Sequence, residues 1–131
     1  MVLTPEDKIC CPPPLFHCFG LVLGLLAVIT HGSTIVFPSE TFNPAAALQA
    51  VIDERCTGLH GVPAMFSAEL ELLSASTDTS KLRLRTGIAA GAPIPRQLME
   101  DIKQKFNLQE MTNTYGRTSS SHGTSKAHLC T

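Results

Sequence analysis

The sequence contains no tryptophan and a single tyrosine. Aromatic stacking surface is scarce, and Tyr115 is the one residue that joins a flat ring to a hydroxyl. Positive charge is also in short supply. Ten Lys and Arg stand against eleven Asp and Glu, a net charge of −1. Binding a phosphate backbone needs a basic stripe. Only Lys81, Arg83 and Arg85 cluster here, which argues against nucleic acid as a partner. No stretch crosses a membrane by length. The longest apolar run, Leu15 to Ile29, falls about three residues short of a span and contains His17. Gly20 and Gly24 give it the G-x-x-x-G spacing of membrane helix pairs, but a buried helix is the better reading and membrane association is not expected. No signal peptide opens the chain, because Glu6, Asp7 and Lys8 precede any apolar stretch.

Paired cysteines are missing too. Cys10, Cys11, Cys18, Cys56 and Cys130 are odd in number and show no C-x-x-C spacing. Most sit in apolar runs, where a free thiol behaves as a small hydrophobe. They point to a reducing, intracellular compartment, whether cytoplasm, mitochondrion or peroxisome, and to no disulfide framework. The five histidines lack ligand spacing, so no metal site is expected through them.

What is present alternates. "DKICC" (7–11) is a short strand stopped by three prolines. Phe19 to Thr30 reads as a helix, apolar all round and so expected to be buried, ending before His31-Gly32. "STIVF" (33–37) is a β-branched strand. "NPAAALQAVIDER" starts a helix with Asn43 as N-cap and Pro44 at the first helical position. "RCTGLHG" (55–61) is a third strand. "VPAMFSAELELL" is a third helix with Phe66, Leu70 and Leu73 on one face and with Glu69 and Glu71 able to reach water. "LRLRTGIAAG" (82–91) is a fourth strand. "IPRQLMEDIKQKF" is an amphipathic helix with Leu98, Ile102 and Phe106 inward, in which Asp101 can pair with Lys105. "LQEMTNTYG" (108–116) is a fifth, weaker strand, and apolar periodicity ends after Gly116. This order predicts an α/β fold with a mainly parallel sheet and right-handed crossovers.

Ligands of open α/β sheets bind beyond the carboxyl ends of the strands. Those ends carry His17, Gly61-Val62-Pro63, Gly91-Ala92-Pro93 and Tyr115-Gly116. The pattern implies one small-molecule site built from several loops, with helix N-termini that favour anions. Each motif alone is weak. His17 reads equally well as a core histidine satisfied by backbone. "AAGAPIP" is neither a dinucleotide fingerprint nor a phosphate loop, and a tight turn accounts for it. "TSSSHGTSK" has the composition of a phosphate loop without its glycine spacing and reads as a flexible tail. His122 beside Ser119 to Ser121 has no context that would make a nucleophile pair.

Taken in order, "PLFHCFGLVLGLLAVITHGSTIVFP", "GLHGVPAMF", "LRTGIAAGAPIPRQLME" and "NTYGRT" resemble the middle of an AMP-forming acyl-CoA synthetase of the adenylate-forming superfamily. The likeness is greatest to its medium-chain fatty acid members. It covers residues 1–118, part of a larger N-terminal AMP-binding domain, and leaves 119–131 as an unstructured tail unlike the family. The resemblance implies a ligase that activates a fatty acid carboxylate with ATP and Mg²⁺ to acyl-AMP, then transfers the acyl group to CoA. By the same resemblance His17 borders the acyl and CoA approach, and Val62, Pro63 and Met65 line the acyl pocket. Gly91, Ala92 and Pro93 pass along the adenine, Tyr115 stacks on it beside Gly116, and Thr118 hydrogen-bonds phosphate.

The departures are equally specific. The family's Ser/Thr/Gly-rich phosphate loop has no counterpart in this sequence. Ser119 stands where the family places a metal-binding glutamate. The ribose-binding aspartate and the C-terminal domain with its adenylation lysine are also without counterparts. The sequence is therefore expected to be a fragment cut through the site at Thr118, with no catalytic residue and no metal ligand of its own. It should bind none of the cofactors tightly and be inactive in isolation.

Overall fold

The computed structural model describes residues 1–73 and 79–116, and the backbone of 74–76 and 127–129. Strand β1 (Lys8–Cys10) is followed by the proline run and then by helix α1. This helix is wound as a π-helix over Phe19–Leu26 and as an α-helix over Ala27–Thr30. It stops at Gly32, whose φ of 67° is the left-handed value a glycine adopts without strain. The order continues β2 (Thr34–Val36), α2 (Pro44–Asp53), β3 (Gly58–Gly61), α3 (Pro63–Ser76), a 3₁₀ turn (Thr79–Lys81), β4 (Thr86–Ala90), α4 (Arg96–Lys105), β5 (Glu110–Thr114) and β6 (Ala127–Leu129). The predicted N-cap of α2 is in place, with Asn43 Oδ1 accepting from the Ala46 amide at 3.1 Å.

The sheet runs β2-β1-β3-β4-β5-β6. The first five strands are mutually parallel, as the sequence pattern requires. β6 is antiparallel to β5, so residues 127–129 form a strand where only an unstructured tail was expected. The remainder of 117–131 lies outside the described residues. β4 begins at Thr86 rather than Leu82. Leu82 and Leu84 are still buried, as the approach to the strand.

The strands separate two apolar layers. On one face Cys10, Leu59, Ala89 and Met111 meet the inward residues of α2, α3 and α4, with Phe66 and Phe106 packed edge to face at 6.5 Å. On the other face α1 lays Phe19 against Ile88 and Ala90, and Val28 against Ile9. Gly20 and Gly24 let α1 lie close to the proline segment. A Cβ at Gly20 would collide with the Pro13 and Pro14 carbonyls, and one at Gly24 would sit 2.6 Å from Cys11 Sγ. Their spacing therefore serves packing within the chain. No helix among the described residues is long and apolar enough to cross a membrane.

Two burial expectations fail. Helix α1 is not enclosed, since Val22 is 49% and Ile29 63% exposed. Only its Phe19, Gly20, Gly24 and Val28 side has a layer to pack on. Glu69 does not reach water and is 1% exposed, whereas Glu71 does reach it. On α4, Arg96 pairs with Glu100 at 2.9 Å and Gln97 with Asp101 at 3.1 Å, so Asp101 is engaged one turn back.

The amino ends of β1, β3 and β4 are tied together by Asp7. Its carboxylate accepts from the Thr4 amide at 2.8 Å, Thr57 Oγ1 at 2.7 Å and Arg85 Nε at 2.9 Å, with a second, short contact from the Arg85 guanidinium. These donors, Arg85 foremost, hold the Asp7 carboxyl well below the usual carboxylate range.

Candidate nucleotide and acyl site at the strand ends

The carboxyl ends of β4 and β5 form a concavity of about 290 Å³ lined by Gly91, Ala92, Pro93, Asn113, Thr114, Tyr115 and Gly116. The parallel register pairs Ala89 with Asn113 and Ala90 with Thr114, and so brings the two turns side by side. Gly91 adopts φ 88°, and a Cβ there would lie 3.1 Å from Val62 Cγ1. The turn after β4 can pass this close to the turn after β3 only with glycine at this point. Tyr115 is 75% exposed, and a Cβ on Gly116 would meet nothing within 4 Å. An open ring face beside an unobstructed backbone suits a flat heterocycle such as adenine.

Val62 also packs on Phe19, Ile88 and Ala90, and its carbonyl receives the Met65 and Phe66 amides at 2.9 and 3.2 Å. One residue thus joins the start of α3 to the start of α1. His17 is exposed just before α1. Its Nδ1 accepts from the Phe19 amide at 3.1 Å, which leaves Nε2 as the protonated ring nitrogen. The structure groups Gly91, Ala92, Pro93, Tyr115 and Gly116 around one concavity, with Val62 against Gly91. Pro63, Met65 and His17 lie outside that lining. Thr118 falls outside the described residues. Larger concavities of 390 and 440 Å³ lie along α3 and α4, away from the strand ends.

Other polar groups near the site went unremarked in the sequence. His60 is fully buried on β3, stacked on Phe19 with centroids 5.9 Å apart. Its Nε2 donates to the Leu23 carbonyl at 3.2 Å. That carbonyl lies within the π-wound turn, where the regular i→i−4 ladder is replaced. Burial pushes His60 down to about 4, so the ring is neutral. His60 pairs with Ile88, and Ile88 with Thr112, across the sheet. Paired residues project from the same face, and His60 Nδ1 and the hydroxyls of Thr86, Thr112 and Thr114 are all buried there without partners. Strand alternation places these residues on one face only when the register is known.

Burial pushes Cys11 up to about 12, and contact with Cys56 together with burial pushes Cys10 up. Cys10, Cys11 and Cys56 are buried and not in disulfides. Among the described residues no three His, Cys, Asp or Glu gather as a metal cluster.

A family model described as AMP-binding enzyme matches residues 1–130. The chain belongs to the AMP-binding enzyme family. It is 60% identical over 122 residues to an acyl-CoA ligase, sidI, of Aspergillus fumigatus, a stretch that takes in 92% of this chain and 20% of that protein. It is 38% identical over 117 residues to the mitochondrial medium-chain acyl-CoA ligase ACSF2 of Danio rerio, covering 87% of this chain and 19% of the relative. This member of the family thus spans about a fifth of the length of the curated relatives it matches. Its fold matches a benzoate CoA ligase of Burkholderia xenovorans with a TM-score of 0.78 at 24% identity, over 88% of this chain and 23% of that one. The α/β architecture with its parallel sheet is that of the large domain in such ligases.

Proposed function

We propose that this chain is the central segment of an acyl-CoA ligase, carrying the adenine-facing turns and part of the acyl approach. The complete ligase would join a fatty acid carboxylate to ATP, releasing pyrophosphate, and pass the acyl group from AMP to the CoA thiol. The concavity at Gly91–Pro93 and Tyr115–Gly116 is the observation that carries this reading. In it Tyr115 stacks on adenine, while Gly91 and Gly116 allow the backbone to approach. Val62, Pro63 and Met65 flank the acyl path, and His17 stands where acyl group and CoA approach. Thr118, in sequence next to this lining, supplies a hydroxyl to phosphate.

Acyl adenylation depends on charge neutralisation and positioning. The isolated chain offers an adenine surface and little else, so it is inactive alone. The test is a pair of assays with ATP, Mg²⁺, octanoate and CoA. The isolated chain should release no pyrophosphate above background. The same residues, carrying Ser119→Glu and exchanged for the matching stretch of the Aspergillus ligase, should support release. Acyl-AMP made by the isolated chain, or a folded but inert graft with Glu at position 119, would reject the proposal.

A further inference from the structure

Among the described residues Asp7, His60 and Glu69 are the buried acidic or basic side chains, and the first two are answered. Asp7 faces Arg85, and His60 is neutral with a backbone acceptor for its Nε2 proton. Glu69 has no such answer. It is 1% exposed, and both its carboxyl oxygens are buried without a hydrogen-bond partner. It follows Phe66 by three residues and precedes Leu73 by four, which places it on the inward stripe of α3. From β1, Cys10 lies close enough for Glu69 to help raise its thiol, and Cys10 also contacts Cys56, which follows α2. Helices α2 and α4 contribute Leu48, Val51, Met99, Ile102 and Phe106 to the same core. Of the acids and bases on these two helices, Asp53, Glu54 and Lys105 are exposed, Arg96 and Glu100 pair with each other at the surface, Asp101 is held by Gln97, and Lys103 is half-buried. Glu71 of α3 itself is exposed.

A carboxylate in this position would be an uncompensated charge in apolar surroundings, far costlier than the neutral acid. We propose that α3 is a pH-sensitive latch. Glu69 is held as a neutral carboxylic acid in the folded chain, and its ionisation loosens α3 from the sheet, together with the Val62–Met65 turn at its start. The latch rests on the fold and holds whether or not the ligase reading does. Burial pushes the carboxyl from its ordinary 4.5 up to about 8. Between these values the unfolded chain has released a proton that the folded chain keeps, so stability falls as pH rises. Above about 8 both states are ionised and the loss is complete.

The unfolding constant therefore gains about tenfold per pH unit from this one group. His60 works in the opposite direction between about 4 and 6.5. The wild-type decline accordingly emerges above about 6.5, and the Glu69 contribution is read as a difference between proteins. Urea unfolding of the full chain and of Glu69→Gln from pH 5 to 9 measures it. The wild type should lose about tenfold per unit relative to Glu69→Gln up to pH 8 and then run parallel to it. Glu69→Leu, which leaves no orphan amide, gives the same comparison if the glutamine variant fails to fold. In the wild type, α3 amides corrected for intrinsic exchange should lose protection before those of α4 as pH rises past 7. Infrared spectra of glutamate-labelled chain at pH 7 should show a protonated carboxyl band that Glu69→Gln removes. Parallel pH profiles for wild type and variant, or no such band, would overturn the latch.

Discussion

Replacing the buried Asp7 by asparagine should destabilise this fold markedly. The carboxylate is 2% exposed and gathers donors from Thr4, Thr57 and Arg85. Arg85 also donates to the Val2 carbonyl at 2.7 Å, so the same guanidinium pins the amino-terminal segment. An asparagine turns one acceptor into a donor among donors and removes the charge that Arg85 answers. Breaking a fully buried ion pair costs about 3–5 kcal/mol. The Arg85 side chain is 35% exposed, and water can take up part of its released charge, which lowers the expectation to about 2–3 kcal/mol. The sign with pH follows from the Asp7 carboxyl being held below its ordinary 3.8. Its contribution is complete above that value and is lost as pH falls below it. Urea unfolding at pH 6 should show the full gap between Asp7→Asn and wild type, and the gap should shrink steadily below pH 4. A double-mutant cycle with Arg85→Met should assign most of it to the pair. A gap under about 0.5 kcal/mol at pH 6, or one that stays constant down to pH 2, would refute the reasoning.

Gly87→Ala should destabilise by about 1–3 kcal/mol in thermal melts, because the new Cβ would stand in the path of a neighbouring strand. That Cβ falls 2.5 Å from the Leu59 carbonyl, which cannot yield, and 3.2 Å from Met111 Sδ, which can. His60→Phe should remove an acid-side loss. The buried ring is neutral in the folded chain and protonated when unfolded, so its contribution is full above 6.5 and fades towards about 4. That is worth about 3 kcal/mol at most, read as the difference between the two proteins' unfolding curves across that range.

Much of this architecture was legible because local chemistry and global fold agree. Asn43-Pro44 starts α2 with the side-chain cap its residues promise, and alternation of strand and helix dictates the parallel order. Gly91 and Tyr115 were singled out because a strand-end glycine and a lone tyrosine stand out before any register is known. Glu69 was misread because its polarity was weighed above its position. Phe66, Glu69, Leu70 and Leu73 share the i, i+3, i+4, i+7 stripe, and that stripe is buried. The apolar girth of α1 promised burial that one packed face does not supply. Its π winding has no residue signature beyond the two glycines. The partnerless row from His60 to Thr112 depends on strand register, which a single sequence does not encode.

The proposed role of this segment depends on whether the turn at Tyr115 handles adenine. The direct measurement is ATP–pyrophosphate exchange by the grafted Aspergillus ligase carrying Glu at position 119, with and without Tyr115→Ala. Tyr115 is exposed and lies outside the core, so the alanine variant should melt as the parent does. Losing one aromatic–base stack is worth about 1–3 kcal/mol, which predicts a rise in the KM for ATP of roughly five- to a hundredfold with the KM for octanoate little changed. An unchanged KM for ATP in a folded, active graft would contradict the placement of adenine at Gly91–Pro93 and Tyr115–Gly116.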